Sequence, residues 1–120
     1  MSIDRLRTYL DEMQQVAFET VDFVKDMSKD EFLKDLVRQR AVGMNLLMIG
    51  AATSRIMEDY PEFAAEFSNV PWQKMREMRN RIAHGYMSMN LDTVWDTAQT
   101  AIPDLLDQLH GLRHWHAQGE

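Results

Sequence analysis

Met44-Asn45-Leu46-Leu47-Met48-Ile49-Gly50-Ala51-Ala52 decides how the chain folds. Read as a helix, the segment is apolar nearly all round. Such a helix is buried on several sides, or buried on one side and covered by a second subunit on another. The helix it belongs to spans about Asp35 to Asp59, because Tyr60 precedes Pro61 and the residue before a proline is pushed out of the helical region. Gly50, Ala51 and Ala52 are small enough for a neighbouring helix to approach closely. A chain of 120 residues has little surface with which to cover this segment everywhere, so a homodimer is expected.

The flanking segments also carry helical period, with no convincing strand alternation. Ile3, Leu6, Leu10, Met13, Ala17, Val21 and Val24 form one stripe of a first helix running to about Lys25. Ser28 and Glu31 have capping-box spacing and predict a short helical turn through Phe32 and Leu33. After a brief turn from Pro61 to Phe67, Pro71 suits the first position of a third long helix. That helix should reach His84, with Gly85 as a left-handed closing residue that leaves the Tyr86 hydroxyl presented on a flexible turn. Asn90 is a good N-cap for a last helix over about Leu91 to His114, in which Pro103 predicts a kink and a lost backbone bond to Gln99. The expected fold is all-α: an up-and-down bundle of four main helices plus short helical turns, in one domain covering residues 1–120 with its core at about 3–114.

Composition narrows the function. There is no cysteine, which excludes a disulfide framework, a thiol nucleophile and a thiolate metal site. No apolar run approaches the ~20 residues of a membrane span, and the first residues carry no apolar signal core, so a cytoplasmic protein is expected. Thirteen Lys and Arg stand against nineteen Asp and Glu, a formal charge of −6. Such a balance suits a duplex-coating protein poorly, because that binding rests on neutralising phosphates. The cations are not spread evenly. Lys74, Arg76, Arg79 and Arg81 fall within eight residues, opposed by Glu77 alone. They form either a solvated helix face or a surface for RNA, with Lys74, Arg76 and Arg81 as the candidate RNA-binding residues.

The chemistry sits in Met78-Arg79-Asn80-Arg81-Ile82-Ala83-His84-Gly85-Tyr86. Asn80 and His84 are four apart and share a helix face. Arg79 lies about 140° around the helix from His84, at ~100° per residue, with a side chain long enough to reach across the helix end. A guanidinium, an amide and an imidazole near a helix C-terminus suit attack by an RNA 2′-OH on its own phosphorus. Histidine titrates near neutrality and can shuttle the proton, while arginine forks onto phosphate oxygens and stays charged. No metal or other cofactor is needed. The plainer alternative makes His84 a helix-terminal residue favoured by the dipole and Arg79 half of a surface ion pair.

Arg79-Asn80, three residues, His84, one residue and Tyr86 resemble the motif of the HEPN superfamily, and the trailing tyrosine resembles its HepT-like branch. Asn45-Leu46-Leu47-Met48-Ile49-Gly50 is similar to that family's second-helix core. Val70-Pro71-Trp72 is similar to its entry into the active-site helix, and Leu91-Asp92-Thr93-Val94-Trp95-Asp96-Thr97 to the start of its last helix. The resemblance runs from about Arg5 to Leu112. It implies a metal-independent RNA endonuclease, the toxin of a toxin–antitoxin pair, with Arg79, Asn80 and His84 of two subunits meeting in one cleft. It also implies a partner, a minimal nucleotidyltransferase (MNT), that silences the toxin by adding AMP to Tyr86. Where many relatives carry an acid after the second-helix glycine, this chain has Ala51.

Other features are weaker. His110 and His114 share a helix face and His116 follows, but no acid or cysteine is fixed beside them, so no metal site is expected. Trp72 and Trp95 read as core or interface, and Trp115 as a cap on the bundle end or an exposed residue. Met87 and Met89 are candidates for partner contact. Asp4, Asp11, Glu12, Glu19, Asp22 and Asp26 make an acidic, solvated face on the first helix. The competing function is a catalytically idle helical dimer that serves as an interaction module for a nucleotidyltransferase. The intact Arg79, Asn80 and His84 favour the enzyme.

Overall fold

The computed structural model describes the backbone of residues 3–119 and the side chains of residues 4–112. Helix α1 covers Ile3–Phe23 and buries Leu6, Leu10, Met13, Val16, Ala17 and Thr20 along one stripe. Asp26 takes φ 60° in the turn that follows. Ser28 then opens α2 (Lys29–Leu33) with both bonds of a capping box, its side chain accepting from the Glu31 N–H while the Glu31 carboxylate accepts from the Ser28 N–H.

Helix α3 runs Leu36–Asp59, capped by the Asp35 carboxylate, which accepts from the Arg38 N–H at 2.9 Å. It ends at Tyr60, and Pro61 begins the short α4 (Pro61–Glu66). Trp72 opens α5 (Trp72–Gly85), with Pro71 one position outside it. Trp72 is core, as expected: it is buried against Phe63, and its indole N–H donates to the Phe67 carbonyl at 3.1 Å.

The central helix is α3. It packs against α1 on one side and α5 on the other, while α1 also packs against the last helix, α7 (Ile102–Gly119). The segment read as apolar all round divides as its composition requires. Asn45, Leu46, Ile49, Gly50 and Ala52 are buried, whereas Met44 and Met48 are 55% and 37% exposed. The buried Asn45 amide donates to the Val16 carbonyl, tying α3 to α1. Among the described residues no helix is long and apolar enough to cross a membrane.

Two local expectations need correction. Gly85 does not close α5 in the left-handed region. Its φ is 176°, extended backbone, and the chain goes on into a 3-10 turn at Tyr86–Ser88 rather than reversing over the helix end. The Ser88 hydroxyl donates to the Gly85 carbonyl at 2.9 Å and holds that turn. The interruption near Pro103 also lies earlier than the proline. Asn90 caps α6 (Leu91–Asp96) through the Asp92 N–H, and Thr97–Ala101 then forms a π turn in which the Ile102 N–H donates to the Thr97 carbonyl. Pro103 has no N–H for the Gln99 carbonyl, and widening the preceding turn absorbs the missing bond. The side chains of His114, Trp115 and His116 lie outside the described residues; His110 is exposed.

Candidate functional site

Helix α5 points its candidate residues in different directions, because its residues lie ~100° apart. Asn80 and His84, one turn apart, share an outward edge. Both are exposed and line, with Arg81, Gly85, Ser88 and Asn90, a groove of about 440 Å³ at the helix C-terminus. The helix end sets this groove. The chain leaves Gly85 extended, turns through Ser88 and starts α6 at Asn90, so the turn forms the far wall. His84 occupies the last turn of α5, where the helix dipole favours a cation.

Arg79 points elsewhere. Its Cβ and Cγ pack against Gly50 of α3 so closely that an added Cβ at Gly50 would collide with them and stand 2.9 Å from the Met75 carbonyl oxygen. The guanidinium turns back to donate to the Asn80 side-chain carbonyl at 3.2 Å, in an exposed bond. Arg79 therefore reaches the groove edge through Asn80, and Arg81 is the arginine that lines the groove beside His84. Of the other cations read as RNA-binding, Arg76 donates to Gln73 within its own helix, and Lys74 lies nearly three turns from His84.

Tyr86 differs most from its sequence reading. It is not displayed on a flexible loop. Its ring folds over α3 at Gly43, where an added Cβ would lie 2.7 Å from the ring Cζ, and its hydroxyl donates to the Gln39 carbonyl. The Arg40 guanidinium lies 5.6 Å from the ring centroid and donates to Met87 Sδ at 3.3 Å. Burial raises the phenol pKa above its ordinary value, and the nearby Arg40 charge opposes that rise in part. Gln39, Arg40 and Gly43 thus form a seat for Tyr86 that sequence reasoning missed. They stand more than forty positions from Tyr86, and no local pattern links them.

Comparison with known proteins shows the family of the chain. The family described as Ribonuclease HepT-like matches residues 2–112, and the chain belongs to that family, within the HEPN superfamily. A Methanocaldococcus jannaschii protein named "Putative RNase" is 32% identical over 107 residues, covering 89% of this chain and 86% of the relative. A Caldanaerobacter subterraneus protein of the same description is 33% identical over 103 residues, covering 86% and 89%. The "Probable ribonuclease HepT" of Thermococcus cleftensis is 28% identical over 107 residues, covering 89% and 94%. No solved structure matches the chain.

Proposed function

We propose that this protein is a metal-independent RNA endonuclease, the toxin of a toxin–antitoxin pair, working as a homodimer and silenced by AMP transfer to Tyr86. The observation that carries the reading is the groove at the end of α5, where Asn80, Arg81 and His84 converge in a chain of the Ribonuclease HepT-like family. An RNA phosphate in this groove meets an imidazole and guanidinium donors. His84 takes the proton from the 2′-OH as the 2′ oxygen bonds to phosphorus and the P–O5′ bond breaks, and the departing 5′ oxygen takes a proton from water. Arg81, with Arg79 reaching in beside Asn80, holds the non-bridging oxygens as charge builds on them. The products are a 2′,3′-cyclic phosphate and a 5′-hydroxyl. Incubating the purified protein with single-stranded RNA in excess EDTA tests the reading: fragmentation is expected, and intact RNA refutes it.

The dimer reading rests on one face of α3. Leu36, Val37, Arg40, Met44 and Met48 fall on a stripe about 120° wide, at ~100° per residue. Leu36, Val37 and Met44 are each more than half exposed, and Met87, 83% exposed, continues the stripe beside Arg40. Sedimentation should give twice 14.1 kDa for the native chain and 14.1 kDa for a Val37→Glu/Met44→Glu double variant. A native monomer at micromolar concentration contradicts the shared cleft.

Silencing requires Tyr86 to leave its seat. The phenol oxygen attacks the α-phosphorus of ATP, pyrophosphate departs, and the resulting AMP anion stands two residues from His84. There it occupies the arginines that substrate phosphate needs. The expected partner is an MNT-type nucleotidyltransferase. After incubation with that partner, ATP and magnesium, intact mass should rise by one AMP or several, and Tyr86→Phe should prevent the gain. Modification mapping to another residue refutes the assignment. Because the Phe ring keeps its packing on Gly43 and loses only the bond to Gln39, at a cost of about 1 kcal/mol, the variant should stay folded.

A further inference from the structure

Helix α5 has a flank that the His84 groove leaves unused. The bundle is open between α5 and α6–α7, and a groove of about 430 Å³ runs there, floored by Leu46, Ile49 and Leu105 and walled by Met75, Met78 and Thr97. Its size falls in the ~300–1,000 Å³ range of ligand-binding cavities. The π turn forms part of the wall, through Thr97 and Ala101, and such turns recur at functional positions. Most important, the two grooves adjoin. Arg81 and Thr93 line both. The helix period explains this: Lys74, Glu77, Met78 and Arg81 fall at i, i+3, i+4 and i+7 on one flank, Asn80 and His84 occupy the adjoining edge, and Arg81 stands at the seam.

We infer that the groove between α5 and α6–α7 is a nucleobase subsite, receiving an unpaired base next to the phosphate held at His84. The inference rests on the ribonuclease reading for the place of that phosphate. Single-stranded RNA is recognised through bases splayed from the stack, and a base needs an apolar slot beside a cation for its phosphate. Here the floor is apolar, the side chains of Met75 and Met78 wall it with adaptable, polarisable groups, and Arg81 meets the backbone at the entrance. Glu77 is the one carboxylate among the residues lining the groove, and it is exposed. An ionised carboxylate only accepts, and it matches the adjacent N1–H and N2–H donors on the Watson–Crick edge of guanine. Guanine therefore ranks first among the bases. An aliphatic ligand or a partner's side chain uses the floor alone and leaves Glu77, Arg81 and the adjoining His84 groove without a role.

Methyl-labelled methionines report on the groove without any need for cleavage. Guanosine 3′-monophosphate should shift the Met75 and Met78 methyl signals saturably, and ribose 5-phosphate, which lacks the base, should leave them still. Binding of the guanosine nucleotide should be about tenfold tighter than that of the uridine nucleotide, the scale of one bidentate base contact. Ala101→Trp, at an exposed position of the groove wall, should abolish the shifts while the helical circular dichroism is unchanged. Silent Met75 and Met78 methyls, equal shifts with ribose 5-phosphate, or shifts produced by octanoate and not by the nucleotide overturn the inference. A chain that cleaves RNA with silent methyls refutes the subsite alone. One that binds the nucleotide here and cleaves nothing refutes the ribonuclease reading and keeps the base-binding groove.

Discussion

His84→Ala is expected to lower RNA cleavage by 10²- to 10⁴-fold, the range a positioned proton-transfer group contributes. The imidazole is exposed at the groove edge, so the loss should come with an unchanged melting transition. Arg79→Ala should cost about 10²- to 10³-fold if its guanidinium stabilises the phosphorane, as with removal of one preorganised donor. Arg79→Lys should not restore the rate, because an ammonium keeps the charge but loses the planar fork that bonds Asn80 and a phosphate oxygen together. The Arg81→Ala variant divides the work between the two arginines. A loss in Arg81→Ala with none in Arg79→Ala moves the phosphate-holding role to the residue that lines the groove. Full activity in His84→Ala removes the site altogether. Single-turnover cleavage rates with circular-dichroism melts decide between these outcomes.

Gly50→Ala should have the second largest effect, on stability and activity together. Two terms oppose each other. Alanine in a helix interior gains about 1 kcal/mol over glycine. Against this, the new methyl meets the Arg79 side chain at its root and the Met75 carbonyl at 2.9 Å, and neither is the far end of a flexible group. Overpacking of that kind costs about 1–3 kcal/mol and moves the backbone. The clash wins, α3 and α5 separate, and Arg79 shifts with α5. Denaturant unfolding should show a net loss of up to about 2 kcal/mol, with cleavage falling further than stability. Gly111→Ala is the control. An added Cβ there meets nothing within 4 Å, so the propensity gain should appear alone as an increase of up to about 1 kcal/mol. Stabilisation by both substitutions contradicts the close α3–α5 approach that positions Arg79.

Those two glycines also show what a sequence can disclose. Helix boundaries were legible wherever a local signal sets them. Ser28 with Glu31, Asn90 as an N-cap and Tyr60 before Pro61 each act within four residues, and each is found as read. The pairing of Asn80 with His84 on one edge follows from helical period alone, and both line the groove. Tertiary choices left no such mark. Gly85 was read as a left-handed stop because glycines commonly close helices, yet the turn that follows keeps it extended. Tyr86 looked like a displayed hydroxyl, but Gly43 offers a seat with no side chain and Gln39 a carbonyl to bond. The open side of the bundle was equally hidden, because the inner stripe of α6 and α7 is apolar whether or not α5 closes against it. Pro103 announced a disturbed ladder, and the wide turn that answers it lies one turn earlier.

The seat of Tyr86 bears on regulation. Its hydroxyl is engaged by α3 and partly buried, so the proposed AMP transfer requires a partner that captures an opened form of the turn at Tyr86–Ser88. Arg40, above the ring and bonded to Met87, would lose both contacts when the turn opens.

The central claim is that His84 and the arginines of α5 drive attack by the RNA's own 2′-OH without a metal. The most direct measurement is the chemistry of the new 3′ ends, read by mass spectrometry on a short single-stranded RNA cut by the purified protein in excess EDTA. The predicted products carry 2′,3′-cyclic phosphate and 5′-hydroxyl ends, and an RNA with a single 2′-deoxyribose at the cut position should resist cleavage there. Ends bearing 3′-hydroxyl and 5′-phosphate, or cleavage that EDTA abolishes and magnesium restores, contradict the account.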